Sequence, residues 1–204
     1  EEPPRGIAHR TSPTNIGLAL TANLAAYDFG YVSASEVVER TTRTLGTLDA
    51  LARYRGHFYN WYDTTTLEPL RPLYISTVDS GNLIGHLITL AAGLTDMAEH
   101  ALFRPQIFDG LRDTLELVAE TDLAQQTDLA APLARLRSNL AAPLAQLRTD
   151  LAQPPVSLSA VRQRLERLEA GSRELSSATE ASSSECREWA LAFGAQCRSA
   201  LAEL

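Results

Sequence analysis

The spacing of leucines is the feature that most restricts what this chain can fold into. In the second half, leucines recur every three or four residues, which places them on one face of an α-helix. This stripe comprises Leu129, Leu133, Leu136, Leu140, Leu144, Leu147 and Leu151, and a second one comprises Leu158, Val161, Leu165, Leu168 and Leu175. We therefore expect an all-α protein of antiparallel helices whose second half is a long helical hairpin arm. Pro143 should kink or interrupt the arm.

Helix start and stop signals divide the first half into three helices. Helices are predicted over residues 12–27, 35–53 and 80–94. The first has Ser12 or Thr11 as its cap and should end near Gly30. Residues 33–36 read Ser-Ala-Ser-Glu, a capping-box pattern that opens the second, and Asp79 is predicted to cap the third. The first and third are apolar nearly all round, which predicts burial on several sides.

Between the second and third helices the helical period is lost. Residues that favour β-structure dominate here, and Pro69 and Pro72 act as breakers. We predict a short β-hairpin-like region near residues 57–76, with the only extended pairing of the chain inside 58–76. Nine of the 13 aromatic residues lie between Tyr27 and Tyr74, so this region differs chemically from the Leu/Ala-rich remainder.

The predicted helices should bring the unusual residues together. If consecutive helices are antiparallel, the start of the first, the end of the second and the start of the third share one end of the structure. We therefore expect one cluster at that end, formed by Arg10, Asn15, Trp61, Asp63, Asp79 and Asn82.

The chemistry of these residues suits a sugar. A pyranose has apolar C–H faces that lie on aromatic rings, and hydroxyls that need paired donors and acceptors. The residues predicted to contact substrate are Arg10, Asn15, Asn60, Trp61, Tyr62, Asp63, Asp79 and Asn82.

The carboxylates of this region have alternative interpretations. Glycoside cleavage needs two carboxyl groups about 5 Å or about 6.5 to 9.5 Å apart, and sequence spacing does not supply that distance. Asp63 and Asp79 are the candidates for a catalytic role, but Asp63 is equally a turn residue and Asp79 a helix cap. Glu68 is interpreted as a residue of a solvated loop. Trp61 and Tyr62 are either a stacking platform or ordinary aromatic residues of a loop core.

Composition excludes several function classes. The net charge is −7 and all 18 basic residues are Arg, without a basic cluster of the kind that nucleic-acid binders carry. Neither a zinc-ligand spacing nor a Gly-rich phosphate loop is present, so we expect no metal and no cofactor in this chain. Cys186 and Cys197 are interpreted as small apolar core residues in a reducing compartment. The sequence contains no apolar run of the about 20 residues that span a bilayer, and its start is no signal peptide.

Three uncommon motifs occur in the first half in a fixed order. Residues 9–17 read His-Arg-Thr-Ser-Pro-Thr-Asn-Ile-Gly, residues 56–64 read Gly-His-Phe-Tyr-Asn-Trp-Tyr-Asp-Thr, and residues 76–83 read Ser-Thr-Val-Asp-Ser-Gly-Asn-Leu. Over residues 7–95 the chain resembles the cyclic β-1,2-glucan synthases, which are large bacterial inner-membrane glycosyltransferases.

The resemblance implies an organisation and a role. In that family a membrane-embedded region makes linear β-1,2-glucan, and a central helical-toroid module, related to glucoamylase-like proteins, closes the ring by transglycosylation. Residues 1–96 look like the front part of this (α/α) toroid, and residues 97–204 like a helical arm or insertion. The implied location is the cytoplasmic side of the inner membrane. The implied partners are β-1,2-glucan and the remaining domains of the same polypeptide.

Three functions follow as hypotheses. The first is a fragment of a cyclic β-1,2-glucan synthase that contributes glucan-contacting loops to the ring-closing module. The acidic motif of that module, Tyr-Asp followed shortly by Ser-Glu, is not found here, so the isolated chain should be inactive. The second is a self-standing β-1,2-glucan hydrolase that uses two of Asp63, Glu68 and Asp79. The third is a helical interaction scaffold.

Overall fold

The fold is almost entirely helical, as expected. The computed structural model describes residues 8–101, 103–127, 140–152, 155, 157–180 and 182–204. Its helices are α1 (Pro13–Asp28), α2 (Ala34–Ala50), α3 (Thr77–Glu99), α4 (Gln106–Thr127), α5 (Ala141–Leu151), α6 (Leu158–Ala178) and α7 (Ser184–Ala202). The two-residue strands are β1 (Arg10–Thr11), β2 (Arg53–Tyr54), β3 (His57–Phe58) and β4 (Tyr62–Asp63).

The chain divides into two compact units. The first unit contains residues 1–25 and 37–100, and the second contains residues 26–36 and 101–204. The first two boundaries along the chain therefore fall inside helices, one near the end of α1 and one near the start of α2, and the third follows the end of α3.

The end of α1 follows the prediction. Gly30 has a φ of 78°, the left-handed conformation that commonly ends a helix. Its N–H donates to the carbonyl of Tyr27 at 3.0 Å, and that of Tyr31 donates to the carbonyl of Ala26 at 2.8 Å. A side chain at Gly30 would overlap the carbonyl group of Gln106, so this position requires glycine for space as well as for backbone conformation.

The start of α2 is the predicted capping box. The N–H of Ser33 donates to Glu36 Oε2 at 3.0 Å, and the N–H of Glu36 donates to Ser33 Oγ at 3.3 Å. Ser199 Oγ of α7 lies 2.8 Å from Glu36 Oε2 and 2.9 Å from Ser33 Oγ. The box therefore satisfies the first N–H groups of α2 and also contacts α7 within the second unit.

Three predicted helix ends are corrected, one in α2 and two in α3. Helix α2 ends at Ala50 rather than at residue 53, because the chain then enters β2 and turns through Arg55 and Gly56, both of which have positive φ. Helix α3 begins at Thr77 rather than at residue 80, and it continues to Glu99. Its cap is Ser76, whose side chain accepts a hydrogen bond from the N–H of Asp79 at 3.1 Å, so the prediction of Asp79 as the cap was wrong.

The strand prediction was also wrong in its partners. Strand β4 pairs antiparallel with β1, far back in the sequence, and β2 pairs antiparallel with β3. Inside 58–76 the chain folds back on itself as predicted, with a bridge between Tyr62 and Pro69 and further backbone hydrogen bonds across the loop. This region is not the only extended pairing of the described residues, because β1 with β4 and β2 with β3 reach outside it. The tight turn at Arg55 and Gly56 brings β2 beside β3. The prediction placed the extended pairing further along the chain, where Pro69 and Pro72 mark turns.

Within the first unit, α1 and α3 run in the same direction. A side chain at Gly17 would meet His86, and one at Gly93 would meet Leu24, so positions seven residues apart on each helix match. Helix α2 runs the opposite way. In its first half Arg40 donates to Asn23 Oδ1 in the second half of α1 at 3.3 Å, and Leu48 near its end belongs to the apolar cluster on which Ile16 near the start of α1 packs. The starts of α1 and α3 and the end of α2 therefore share one end, as predicted.

The outer faces of α1 and α3 are more exposed than predicted. Leu18 of α1 is 56% exposed, and on α3 the exposed fractions are 57% for Ile84 and 67% for Ile88. Apart from the neighbouring residues and backbone of α3 itself, no described atom lies within 4 Å of where a Cβ would stand at Gly81 or Gly85. Within the described chain no element covers these faces, so the expectation of burial on several sides is wrong for them.

The second unit is built around one apolar core from α4, α5, α6 and α7. Leu140, Leu144, Leu147 and Leu151 are buried, which confirms the described part of the first stripe. In the second stripe Val161, Leu165, Leu168 and Leu175 are buried as predicted, whereas Leu158, the first residue of its helix, is 69% exposed. Residues 128–139 lie outside the described part, and with them the first half of the arm. Pro143 lies in the first turn of α5, a position that tolerates proline. Cys186 and Cys197 are free and buried, as predicted.

Candidate functional site

The site begins with the pairing of β1 and β4 in the first unit. Arg10 is paired with Asp63, and Thr11 with Tyr62. This pairing places Arg10, the residue that precedes the first motif's Thr-Ser-Pro, beside the second motif. The guanidinium carbon of Arg10 lies 5.1 Å from the centre of the Trp61 ring, a cation–π distance.

An open hollow lies beside this pair. It has a volume of about 340 Å³ and is lined by Arg10, Trp61, Leu70, Arg71, Pro72 and Tyr74, which we call the aromatic hollow. Its loop is folded back by backbone hydrogen bonds, from the N–H of Leu70 to the carbonyl of Trp61 at 2.9 Å and from the N–H of Asn60 to the carbonyl of Tyr74 at 3.0 Å. The hollow combines two aromatic rings with two guanidinium groups, so it offers both apolar surface and hydrogen-bond donors.

Asp79 lies in the first turn of α3 and faces the first turn of α1. Thr14 Oγ1 donates to Asp79 Oδ1 at 2.6 Å, and Asn82 Nδ2 donates to Thr14 Oγ1 at 3.1 Å. The hydrogen bond from Thr14 is the main cause that lowers the pKa of Asp79, against the opposing effect of burial, with further help from Ser76 and Ser12. Asp79 is therefore an anion at neutral pH.

Asp63 is a turn residue in this structure. Its Oδ1 accepts the N–H groups of Thr65 at 2.7 Å and Thr66 at 2.8 Å, and these two hydrogen bonds, that of Thr66 first, lower its pKa. Glu68 is exposed, as the solvated-loop interpretation predicts.

Tyr62 does not contact solvent. Its relative exposure is 0%, its hydroxyl donates to the carbonyl of Ala52 at 2.8 Å, and the same oxygen accepts the N–H of Tyr59 at 2.8 Å. Burial raises the pKa of the Tyr62 hydroxyl. A sugar cannot reach this ring, so the loop-core interpretation of Tyr62 replaces the predicted substrate contact.

The other residues predicted to contact substrate differ in exposure and in their neighbours. Arg10 and Trp61 line the aromatic hollow, whereas Asn60 is buried at 6% exposure. Asp79 and Asn82 are joined through Thr14. Asn15 is exposed in the first turn of α1, where its N–H donates to Ser12 Oγ at 3.3 Å.

The sequence prediction missed four residues that line the aromatic hollow, namely Leu70, Arg71, Pro72 and Tyr74. The signal was present in composition, because this segment contains an arginine and an aromatic residue, Arg71 and Tyr74, as the predicted pair of Arg10 and Trp61 does. It was overlooked because this segment was interpreted only as a turn.

Comparison with known proteins relates the sequence of this chain to that of a glucan synthase. No family model matches the sequence. The chain is, however, 40% identical over 139 residues to the cyclic beta-(1,2)-glucan synthase NdvB of Rhizobium meliloti strain 1021. The match covers 67% of this chain and 5% of that relative. The chain is thus related to the cyclic β-1,2-glucan synthases, as the three motifs predicted, and it corresponds to a small part of such a protein.

Among the residues that the structure describes, none of the helices combines the length and hydrophobicity that crossing a bilayer requires.

Proposed function

We propose that this chain is a glucan-contacting part of the ring-closing, transglycosylating module of a cyclic β-1,2-glucan synthase. The observation that supports it is the aromatic hollow, which lies where two of the three family motifs meet. The relative is named a cyclic beta-(1,2)-glucan synthase, which suggests a β-1,2-glucan as the ligand. The aromatic rings and guanidinium groups of the hollow can contact the C–H faces and the hydroxyl groups of such a sugar. In this proposal the further partners are the remaining domains of one polypeptide, on the cytoplasmic side of the bacterial inner membrane.

The hollow suits a sugar for physical reasons. Trp61 is partly exposed and Tyr74 is 49% exposed, and aromatic rings of this kind bind the C–H faces of a pyranose. Arg10 and Arg71 supply planar groups with several N–H donors for ring hydroxyls. A volume of about 340 Å³ is at the lower end of ligand-sized pockets, which fits a contact with a short stretch of glucan.

The carboxylates favour binding over cleavage in the isolated chain. Glycoside hydrolysis needs one carboxyl group that holds a proton near neutral pH, which requires a raised pKa. Hydrogen bonds to the carboxylates of Asp63 and Asp79 lower the pKa values of both groups, which favours their ionised forms and supports a role other than the acid. The chain alone is therefore proposed to be inactive, and the acid belongs to another part of the parent protein.

Binding is tested by calorimetric titration of the purified chain with linear β-1,2-glucan. We expect weak, saturable binding that falls several-fold in Trp61→Ala, because an aromatic stacking face contributes on the order of 1 kcal/mol. Tyr54→Ala is the matched control, since Arg55 lies 5.4 Å from the Tyr54 ring and this second Arg–aromatic pair is outside the hollow. Equal losses in both variants, or no binding by the unmodified chain, would contradict the proposal.

Inactivity is tested by incubating the chain with linear β-1,2-glucan and separating the products by chromatography. We expect neither shorter chains nor rings. Turnover that disappears in Asp63→Asn or Asp79→Asn would instead favour the self-standing hydrolase. In the full-length parent, Asp63→Asn should reduce ring closure more than chain synthesis.

A further inference from the structure

A buried amide connects Asp79 to the aromatic hollow. Asn60 lies between the Asp79 carboxylate on one side and the side chains of Trp61 and Tyr74 on the other. At 6% exposure its amide has little access to water, so its hydrogen-bonding groups depend on protein partners.

The chemistry of the neighbours fixes the orientation of this amide. The indole Nε1 of Trp61 can only donate, and an ionised carboxylate can only accept. The amide oxygen must therefore face the indole and the NH₂ group must face Asp79. In this orientation Trp61 Nε1 donates to the amide oxygen at 2.6 Å, the Tyr74 hydroxyl donates to the same oxygen, and the amide nitrogen donates to Asp79 Oδ2 at 2.5 Å.

The other oxygen of Asp79 is held by a different element. Thr14 of α1 donates to Asp79 Oδ1, so the carboxylate joins the starts of α1 and α3 to the loop that carries the aromatic rings. The positive ends of both helix dipoles lie near this anion, which stabilises it further.

We propose that Asp79 is a positioning residue, which acts through Asn60 to hold Trp61 and Tyr74 in the arrangement that receives the sugar. This inference rests on the proposed glucan binding at the aromatic hollow and assigns Asp79 a role other than acid or base. One amide oxygen accepts both ring donors, so the two rings are fixed relative to each other before ligand arrives. A surface that is already ordered binds more tightly, because less side-chain entropy is lost on binding.

The experiment follows the Trp61 indole N–H directly. The chain contains two tryptophans, so Trp189→Phe leaves Trp61 as the single indole, whose ¹⁵N–¹H signal and solvent exchange are recorded by NMR. Asp79→Ala and Asn60→Ala should each shift this signal and accelerate its exchange, and each should weaken glucan binding several-fold, by about as much as Trp61→Ala, because the ring is no longer held in place. Asp79→Asn keeps one acceptor oxygen, so it should retain part of the protection of the indole N–H from exchange and part of the glucan affinity that Asp79→Ala loses.

A matched control lies on the same helix. Asp96 of α3 is exposed and faces His100, so Asp96→Ala removes a carboxylate without touching the hollow and should change neither the indole signal nor the binding. Asp79→Ala combined with Asn60→Ala should be no worse than either alone, because both break one connected chain of hydrogen bonds.

Two outcomes would overturn the inference. One is an indole signal in Asp79→Ala that is unchanged from that of the unmodified protein, and the other is additive losses in the double variant. If Asp79→Ala does not fold, the exchange rate of the Trp61 indole N–H in the unmodified protein tests the inference instead. Exchange as fast as that of free tryptophan would mean that this N–H has no buried acceptor, which would also overturn the inference. Absence of glucan binding in the unmodified protein would refute the proposed function alone, since the indole signal tests the hydrogen-bond chain without ligand.

Discussion

Both units contain buried apolar clusters, but the candidate site of the first unit depends on specific polar pairs. In the first unit, the hollow is shaped by particular polar pairs, such as Thr14 with Asp79 and Asn60 with Trp61. In the second unit, the helices share a core of leucines with Phe193 and the two cysteines. Apolar cores accept many side chains of similar volume, whereas a polar pair accepts few replacements. The first unit is therefore where sequence change should alter function, and the second is where it should alter stability.

The largest expected effect is on the cysteines of the second unit. Burial raises the pKa of Cys197 from its ordinary 9.0 to about 12, which reduces its reactive thiolate near pH 8 roughly a thousandfold. Cys186 is also buried, and burial raises its pKa. We expect no reaction of the folded protein with an aromatic disulfide reagent over hours, and two thiols per chain in urea. Rapid reaction without urea would contradict the closed core.

A large effect is expected from Phe193→Ala. The ring is fully buried in the core of the second unit, so its removal should lower the free energy of unfolding by about 3–5 kcal/mol. Leu191→Ala on the same helix is the control, because Leu191 is 60% exposed and should change stability by less than about 0.5 kcal/mol. Urea unfolding measures both. Glucan affinity of folded Phe193→Ala should be unchanged, and a loss would break the proposed division between the units.

The smallest effect compares two helix caps. Ser76 accepts the N–H of Asp79 at 3.1 Å, and Ser157 accepts the N–H of Ala160 at 3.3 Å. Replacing either serine with alanine should cost about 1 kcal/mol of stability. Only Ser76→Ala should also weaken glucan binding, because it loosens the turn that carries Asp79. Equal binding by the two variants in a calorimetric titration would show that the start of α3 is not coupled to the hollow.

Helical elements were predictable from the sequence, and the site was predictable in part. Capping residues identified α1, α2 and α3, and the two leucine stripes identified α5 and α6, because these signals are local. The direction of packing then placed Arg10 near Trp61. The pairing of β1 with β4 was not predictable, because two-residue strands carry no periodicity. Tyr62 is buried in a cluster with Leu48 and Leu51. Because this packing depends on the tertiary fold, the local sequence did not decide between a surface stacking ring and a loop-core residue.

The link from Asn60 to Asp79 illustrates the same limit. Both residues were predicted at the site, but their roles were not, since a carboxylate in a polar region is equally a ligand, a cap or a structural anion. Only the distances from Asp79 to Thr14 and Asn60 distinguish these roles.

The most direct test of the proposed division of function uses both tryptophans at once. Trp61 lines the hollow of the first unit, and Trp189 packs on the core of the second. During a titration with linear β-1,2-glucan, we expect the indole ¹⁵N–¹H signal of Trp61 to move in proportion to binding and that of Trp189 to stay in place. Movement of the Trp189 signal alone, or of neither signal at saturating glucan, would contradict the assignment of glucan binding to the aromatic hollow.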